Sequence, residues 1–197
     1  SYKRVANKDM KLSATEIFAL QNALVPSPAD KEIVLEASVD DLNKETIRKI
    51  IENEKINHPK ALRGAKTLQV QMARLNITDQ NGKIRLGGLL AAGNYPQQFF
   101  PKLAVDVMVH PDIEKSTPTG PRYLDRTVCE GELGEIIEDA VAATAKNLRR
   151  ISVIEGAGRK DELEIPEEVL REAIANAVIH REYGPRHEGQ SVTVDRS

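Results

Sequence analysis

The stretch "LREAIANAVIHREYGP" (residues 170–185) combines the composition of a buried helix with a regular line of polar side chains. Most of its residues are small or branched and apolar, yet Glu172, Asn176 and His180 recur at every fourth position. Because an α-helix has about 3.6 residues per turn, side chains four apart lie nearly above one another. The spacing therefore predicts a helix carrying a polar ridge, which we define as Glu172, Asn176 and His180. Such a ridge is either a functional site or the solvent edge of the helix, and the spacing alone favours neither.

Composition limits what the rest of the chain can be. The chain has 197 residues, of which 40% are hydrophobic, enough for one large domain or two small ones. It has no Trp and only 4% aromatic residues, so the core must be aliphatic. The net charge of -2 does not indicate a nucleic-acid binder, and DNA contact would require a local basic face. The single cysteine, Cys129, excludes an internal disulfide and is expected to be a core thiol in a reducing compartment.

The ends of the sequence and its apolar runs bear on localisation. No apolar run approaches the ~20 residues of a membrane span, so no membrane partner is expected. The start, "SYKRVANKDMK", is polar and basic and does not look like a signal peptide. The first residue is not Met, and the end, "SVTVDRS", looks like a strand under way. These features predict a fragment of a longer cytoplasmic protein.

Periodicity and breakers predict mixed α and β structure. A capping Asp40 precedes an apolar stripe, and Pro166 with two following acids starts the helix that carries the polar ridge. Alternating apolar residues after Lys102 indicate a half-buried strand. The predicted helices span residues 13–24, 40–56, 60–75, 131–150 and 166–183. The predicted strands span residues 32–38, 86–92, 102–110 and 123–131, with a turn-rich loop at 110–122 and a short strand and Gly-rich hinge at 150–165.

The order helix, helix, hairpin in the middle of the chain is typical of a winged-helix module. Asn81-Gly82 is a strong hairpin signal between apolar residues, and helix 60–75 would be the reading helix. That helix carries basic residues and no acid, so its expected DNA contacts, together with one lysine of the wing, are Arg63, Lys66, Arg74 and Lys83. The alternative interpretation is a solvated basic face on a small packing unit, since such faces are common.

A glycine-rich segment, "GGLLAAGNYPQQFFP" (87–101), suggests a phosphate-binding loop at first sight. It lacks the P-loop spacing, and no Lys-Ser or Lys-Thr follows its last glycine. We therefore interpret residues 86–92 as a buried strand whose paired glycines allow close packing.

Three segments resemble one bacterial family. "EVLREAIANAVIHREY" is similar to the "REALxNAxxHRDY" motif of transcriptional regulators related to the C-terminal part of the RecG helicase, where it opens a domain like the gyrase/MutL/histidine-kinase (GHKL) ATPase fold. "SYKRVANKDMKLSATEI" is similar to "YYRVGSSTRPASPEEI", which closes a DNA-binding domain of Schlafen/AlbA type. "IRLGGLLAAGNYPQQFFP" resembles "LTxAGLLLFGxxPQxxFP". The resemblance covers most of the chain, and the first segment is its most specific part.

The resemblance implies roles for the polar ridge. The Glu-x-x-x-Asn core looks like the N box, whose Glu orients or deprotonates the attacking water and whose Asn holds Mg²⁺. It thus implies that Glu172 is a general base and Asn176 a Mg²⁺ ligand, which suits a hard cation with few protein ligands. His180 and Arg181 match the family's "HR" pair and are assigned to the same nucleotide site.

One departure from the family pattern limits this expectation. The family has an Asn-Pro-Gly-Gly segment after the next strand, and residues 184–197 contain no such motif. We therefore expect ATP and Mg²⁺ to bind in a longer parent protein and not tightly in this chain. Activity as an enzyme stays open.

The combined prediction is an α+β fragment of a bacterial transcriptional regulator that binds DNA and senses ATP. Residues 1–36 would be the tail of an upstream AlbA-type domain with a linker. Residues 37–86 would be the winged-helix-like module, and residues 87–197 a partial GHKL-like α/β domain. Two alternatives remain: an ATPase whose site is completed by further sequence, and an assembly module in which helix 166–183 packs in a homodimer seam.

Overall fold

The protein has a mixed α+β fold, as predicted, with its described helices and strands interleaved along the chain. The computed structural model describes residues 2–5, 8–11, 29–111, 123–155, 158–181, 183 and 192–196. Its helices are α1 (Lys44–Asn57), α2 (Leu68–Arg74), α3 (Leu86–Ala92), α4 (Leu133–Lys146) and α5 (Glu167–Ile179). Its strands are β1 (Tyr2–Val5), β2 (Lys8–Lys11), β3 (Val105–Val109), β4 (Asp125–Cys129), β5 (Arg150–Glu155), β6 (Gly158–Leu163) and β7 (Val192–Arg196). The predicted helix at 13–24 and most of the loop at 110–122 lie outside the described residues.

A three-stranded sheet in the order β4–β3–β7 is the base of the C-terminal half. Strand β3 pairs antiparallel with β4 and parallel with β7, so that Val107 lies opposite Thr127 on one side and Val194 on the other. Burial alternates along β3, which confirms the half-buried strand expected from its sequence. Helices α4 and α5 pack against each other, and α4 covers the buried face of β3 and β4.

Helix α1 begins later than predicted because a different residue caps it. The side chain of Asn43 accepts hydrogen bonds from the backbone N–H groups of Glu45 and Thr46. Asp40, the predicted cap, lies instead in a 3-10 turn at Val39–Asp41. Both residues are good caps, and Asn43 is the one that immediately precedes the helical backbone.

The predicted helix 60–75 is wrong over most of its length. Residues 59–64 form turns, Gly64 adopts a φ of +78°, and only Leu68–Arg74 is helical. Gly64 supplies the left-handed conformation that ends the turn, and the Thr67 hydroxyl caps the short α2 by accepting from the N–H of Val70. The basic residues before Thr67 therefore lie on a loop.

The Asn81-Gly82 turn is present, but a single isolated β-bridge stands beside it in place of the expected hairpin strands. Thr78 and Ile84 form that bridge, and Gly82 has a φ of +82°. The Asp79 carboxylate accepts hydrogen bonds from the N–H groups of Asn81 and Lys83, which closes the turn and lowers the pKa of Asp79.

Two predicted strands in this half are wrong. Residues 86–92 form helix α3, which is buried on several sides at Leu86, Leu89 and Leu90. A run of apolar residues does not distinguish a buried strand from a buried helix, because it contains no polar residues whose spacing would reveal a period of two or of 3.6 residues. Residues 32–38 form only an isolated bridge from Ile33 to Arg85, followed by a turn.

Two features of the C-terminal half also differ from the predicted elements. The predicted hinge after residue 155 is the second strand of a hairpin, because β5 pairs antiparallel with β6. The ridge-bearing helix ends at Ile179 with His180 as its C-cap, four residues before the predicted end at Tyr183. Helix α4 and strand β4 lie within the predicted ranges 131–150 and 123–131.

The buried residues form two hydrophobic clusters. The first runs from Ala29 to Leu103 and includes the buried faces of α1, α2 and α3. The second runs from Val105 to Val178 and joins the sheet to α4 and α5. Leu133 packs against both clusters. Helix α3, which the predicted boundary at residue 87 places in the C-terminal unit, packs within the first cluster.

Candidate functional site

The polar ridge lies on the outward face of α5. The helix buries Leu170, Ile174 and Val178 in the second cluster, in contact with α4. Glu172, Asn176 and His180 are all exposed. Glu172 and Ile174 are two positions apart, about 200° around the helix, so the ridge faces away from the buried stripe. The same outward face also exposes the apolar side chains of Val169 and Ile179.

Two members of the ridge are joined directly. The side-chain nitrogen Nδ2 of Asn176 donates a hydrogen bond to Oε1 of Glu172 over 2.9 Å. This bond uses the donor end of the amide, and no other described residue bonds to the Asn176 oxygen Oδ1. The pair therefore presents an amide oxygen and a carboxylate side by side, which are ligand types that Mg²⁺ accepts. No group of three or more His, Cys, Asp or Glu side chains within the described residues is placed to hold a metal.

The residues after the ridge serve a different contact. The guanidinium of Arg181 donates from Nη1 to the carbonyl oxygen of Ala104 and from Nη2 to that of Lys102, over 3.3 and 2.8 Å. It lies over the ring of Tyr183, whose hydroxyl donates to the carbonyl of Val178 over 2.7 Å. Burial lowers the pKa of Arg181 and raises that of Tyr183. The side chain of Arg181 thus binds the segment that leads into β3, whereas His180 is exposed on the ridge.

The four predicted DNA-contacting residues divide into two groups. Arg63 and Lys66 are exposed on the loop before α2, and Lys83 is exposed on the turn that follows it. Arg74 bonds instead to its own loop, because its Nη1 donates to the carbonyl oxygens of Ala61 and Arg63. The structure therefore gives Arg74 a contact that holds the loop in place.

The turn at Gly82 lies close to the start of α2. A Cβ at Gly82 would be 3.8 Å from the side-chain nitrogen of Gln69, which is in the first turn of that helix. Lys66 directly precedes the cap of the same helix. Lysines from the loop and from the turn thus flank the N-terminal end of α2.

The glycine-rich segment allows helix α3 to pack closely against the backbone of Ile77. A Cβ at Gly88 would lie 2.2 Å from the carbonyl oxygen of Ile77, so only glycine permits this close approach of α3. This contact confirms that the paired glycines allow close packing, in a helix rather than in a strand. Cys129 is also structural as predicted: it is buried, and burial raises the pKa of its thiol to about 11.

Sequence reasoning missed the buried amide of Gln97. Its Nε2 donates to the carbonyl oxygens of Leu103 and Gly131, and its Oε1 accepts from the N–H of Gly131, all within 3.1 Å. Gly131 has a φ of +115° at this contact. The signal in the sequence was a polar residue inside the apolar run "YPQQFFP". Such a residue is expected to be satisfied when it is buried.

Comparisons with known proteins support the fold at a coarse level. No family model matches the chain, and no curated protein matches it. The solved crystal structure of the DIP2311 protein from Corynebacterium diphtheriae is similar, with a TM-score of 0.56 and 18% identity. The match covers 98% of this chain and 36% of that protein, so the chain spans about a third of its length. No helix within the described residues is long and apolar enough to cross a membrane. The similarity shows that this chain shares its fold with part of the DIP2311 protein.

Proposed function

We propose that this chain is part of a bacterial transcriptional regulator that binds DNA and responds to a magnesium nucleotide. The observation that carries the proposal is the hydrogen-bonded Glu172–Asn176 pair on the outward face of α5. In finer terms, we assign residues 37–86 to a winged-helix-like module and residues 87–197 to the opening part of a GHKL-like α/β domain. The resemblance of the ridge-bearing helix to the N box supports the second assignment, and the order of α1, α2 and the turn at Gly82 supports the first.

The nucleotide half of the proposal rests on how the pair is held. Helix α5 is fixed by its buried stripe, and the bond from Nδ2 of Asn176 to Glu172 leaves Oδ1 available to a cation. A bound Mg²⁺ would neutralise phosphate charge and would take its other ligands from water and phosphate oxygens. An NMR titration with Mg-ATP that follows the Asn176 side chain tests this half.

The DNA half rests on the exposed cations around α2. The side chains of Arg63 and Lys66 form no ion pair or hydrogen bond with another described residue, and Lys83 acts electrostatically on Asp79. Cations of this kind contact backbone phosphates, which contribute affinity that depends on salt but little sequence information. We therefore propose that the loop before α2 and the turn after it contact DNA. Arg74 supports the loop.

Charge reversal tests the DNA half directly. The double variant Arg63→Glu/Lys66→Glu should abolish an electrophoretic mobility shift of a DNA duplex by the wild-type chain. The matched control, Arg149→Glu/Arg150→Glu, makes the same change in net charge at the β5 hairpin and should leave the shift unchanged. A wild-type chain that gives no shift at low salt, or a control that loses the shift equally, would exclude contact through this loop.

A further inference from the structure

A cavity of about 470 Å³ lies beside the first hydrophobic cluster. One wall is the segment after the 3-10 turn at Ala29–Lys31, and the opposite wall is the segment that leads into β3. Its volume is within the range of small-molecule sites, which is about 300–1,000 Å³. None of the residues proposed to contact DNA or nucleotide lines it.

The interior of the cavity is aromatic and apolar. Phe99, Phe100 and Tyr183 line it and are half-buried against the first cluster. The chain has only three Phe and four Tyr in all, so this concentration of rings is unusual for its composition. The guanidinium of Arg181 lies 5.8 Å from the centroid of the Tyr183 ring, which already contacts a cation. The rings of Phe99 and Phe100 remain available to a ligand.

The charged residues of the cavity are mainly acidic. Glu32 and Glu36 are exposed and line one side, and Lys102 is the basic residue among the described lining residues. Neither carboxylate forms a side-chain hydrogen bond or ion pair with another described residue. A positively charged ligand would therefore meet two carboxylates that no described residue pairs, and aromatic rings attract cations through their π faces.

We propose that this cavity binds a small organic cation with an apolar or aromatic body. The apolar body of such a ligand would replace water against Phe99 and Phe100, and its cationic group would lie toward Glu32 and Glu36. An anionic ligand of the same size would be repelled by both carboxylates. The site is separate from the polar ridge, and this inference does not depend on the proposed regulator function.

The test is an NMR titration of the ¹⁵N-labelled 197-residue chain with three small aromatic probes. The probes are benzyltrimethylammonium, the neutral benzyl alcohol and the anionic phenylacetate. Benzyltrimethylammonium should shift the backbone amide signals of Phe99, Phe100, Lys102, Leu103 and Tyr183 and should bind at least about fivefold more tightly than benzyl alcohol. Phenylacetate should bind most weakly.

A double variant that removes both negative charges separates the effect of the carboxylates from that of the apolar wall. Glu32→Gln/Glu36→Gln should remove the preference for the cation and leave the affinity for benzyl alcohol unchanged. The control, Glu52→Gln/Glu168→Gln, removes the same charge from exposed positions on α1 and α5 and should keep the preference. Equal affinity for all three probes, no shift at the cavity residues, or a preference that survives Glu32→Gln/Glu36→Gln would overturn the proposal.

Discussion

At the scale of single residues, Gln97 shows how one polar side chain joins two parts of the molecule. Its amide spans from the carbonyl of Leu103 to both backbone groups of Gly131, and it is only 3% exposed. Gly131 precedes α4 and needs glycine, because its φ of +115° is a backbone conformation that other residues rarely adopt. The amide therefore joins the segment before β3 to the loop before α4.

The substitution Gln97→Leu should destabilise the protein by at least about 2 kcal/mol, because it leaves buried backbone groups at Leu103 and Gly131 without partners. Urea unfolding followed by circular dichroism measures this loss. The neighbouring Gln98 is exposed, and Gln98→Leu provides the matched control with an expected change within about 0.5 kcal/mol. Equal effects of the two substitutions would show that the hydrogen bonds of Gln97 do not stabilise the fold.

At the scale of elements, the sequence predicted those segments in which burial is one-sided. Strand β3 alternates between buried and half-buried residues, and α4 buries one stripe that includes Ile136, Ala140 and Val141. A period of two or of 3.6 residues is visible in such segments because solvent selects polar residues on the other face. The existence of these elements followed from pattern alone.

The elements that were predicted wrongly lack this contrast or depend on distant contacts. Helix α3 is buried on several sides, so its sequence shows no period, and its type is decided by packing against Ile77. The loop before α2 is held by a hydrogen bond from Arg74 to the carbonyl oxygen of Ala61, thirteen residues away. Local sequence propensity does not predict such a contact. For the candidate sites, the exposed ridge and the exposed basic residues around α2 were predictable, whereas Gln97 and the aromatic cavity required the tertiary structure.

The position of the polar ridge leads to a prediction about stability. Asn176→Ala should change the free energy of unfolding by less than about 0.5 kcal/mol, since it removes one exposed bond between positions i and i+4. Ile174→Ala, on the buried stripe of the same helix, should cost about 2–5 kcal/mol. Thermal and urea unfolding of both variants measure the contrast. A loss of 1 kcal/mol or more, about the cost of an unpaired buried group, for Asn176→Ala would instead indicate a structural role.

At the scale of the whole molecule, the two hydrophobic clusters are joined by one shared apolar residue and a few polar contacts. Leu133 packs against both clusters, and Arg181 ties the end of α5 to the carbonyls of Lys102 and Ala104. Glu132 precedes α4, and burial raises the pKa of its carboxyl, while the neighbouring Thr46 of α1 acts to lower it. These contacts connect the end of α5, which bears the ridge, to the segment around Leu103, a residue of the first cluster.

The central claim, that the ridge holds a magnesium nucleotide, is tested most directly by the side-chain amide signal of Asn176 in a ¹⁵N NMR titration. With Mg-ATP in millimolar excess, we predict a saturable shift of that signal, with a Kd weaker than about 0.1 mM because residues 184–197 lack the Asn-Pro-Gly-Gly motif of the regulators that the ridge segment resembles. The shift should disappear when EDTA removes Mg²⁺. The side-chain amide of Asn147, which bonds to Asp125, is the internal reference and should not move. An Asn176 signal that stays still throughout the titration, or binding that shifts residues 87–93 instead, would contradict the claim.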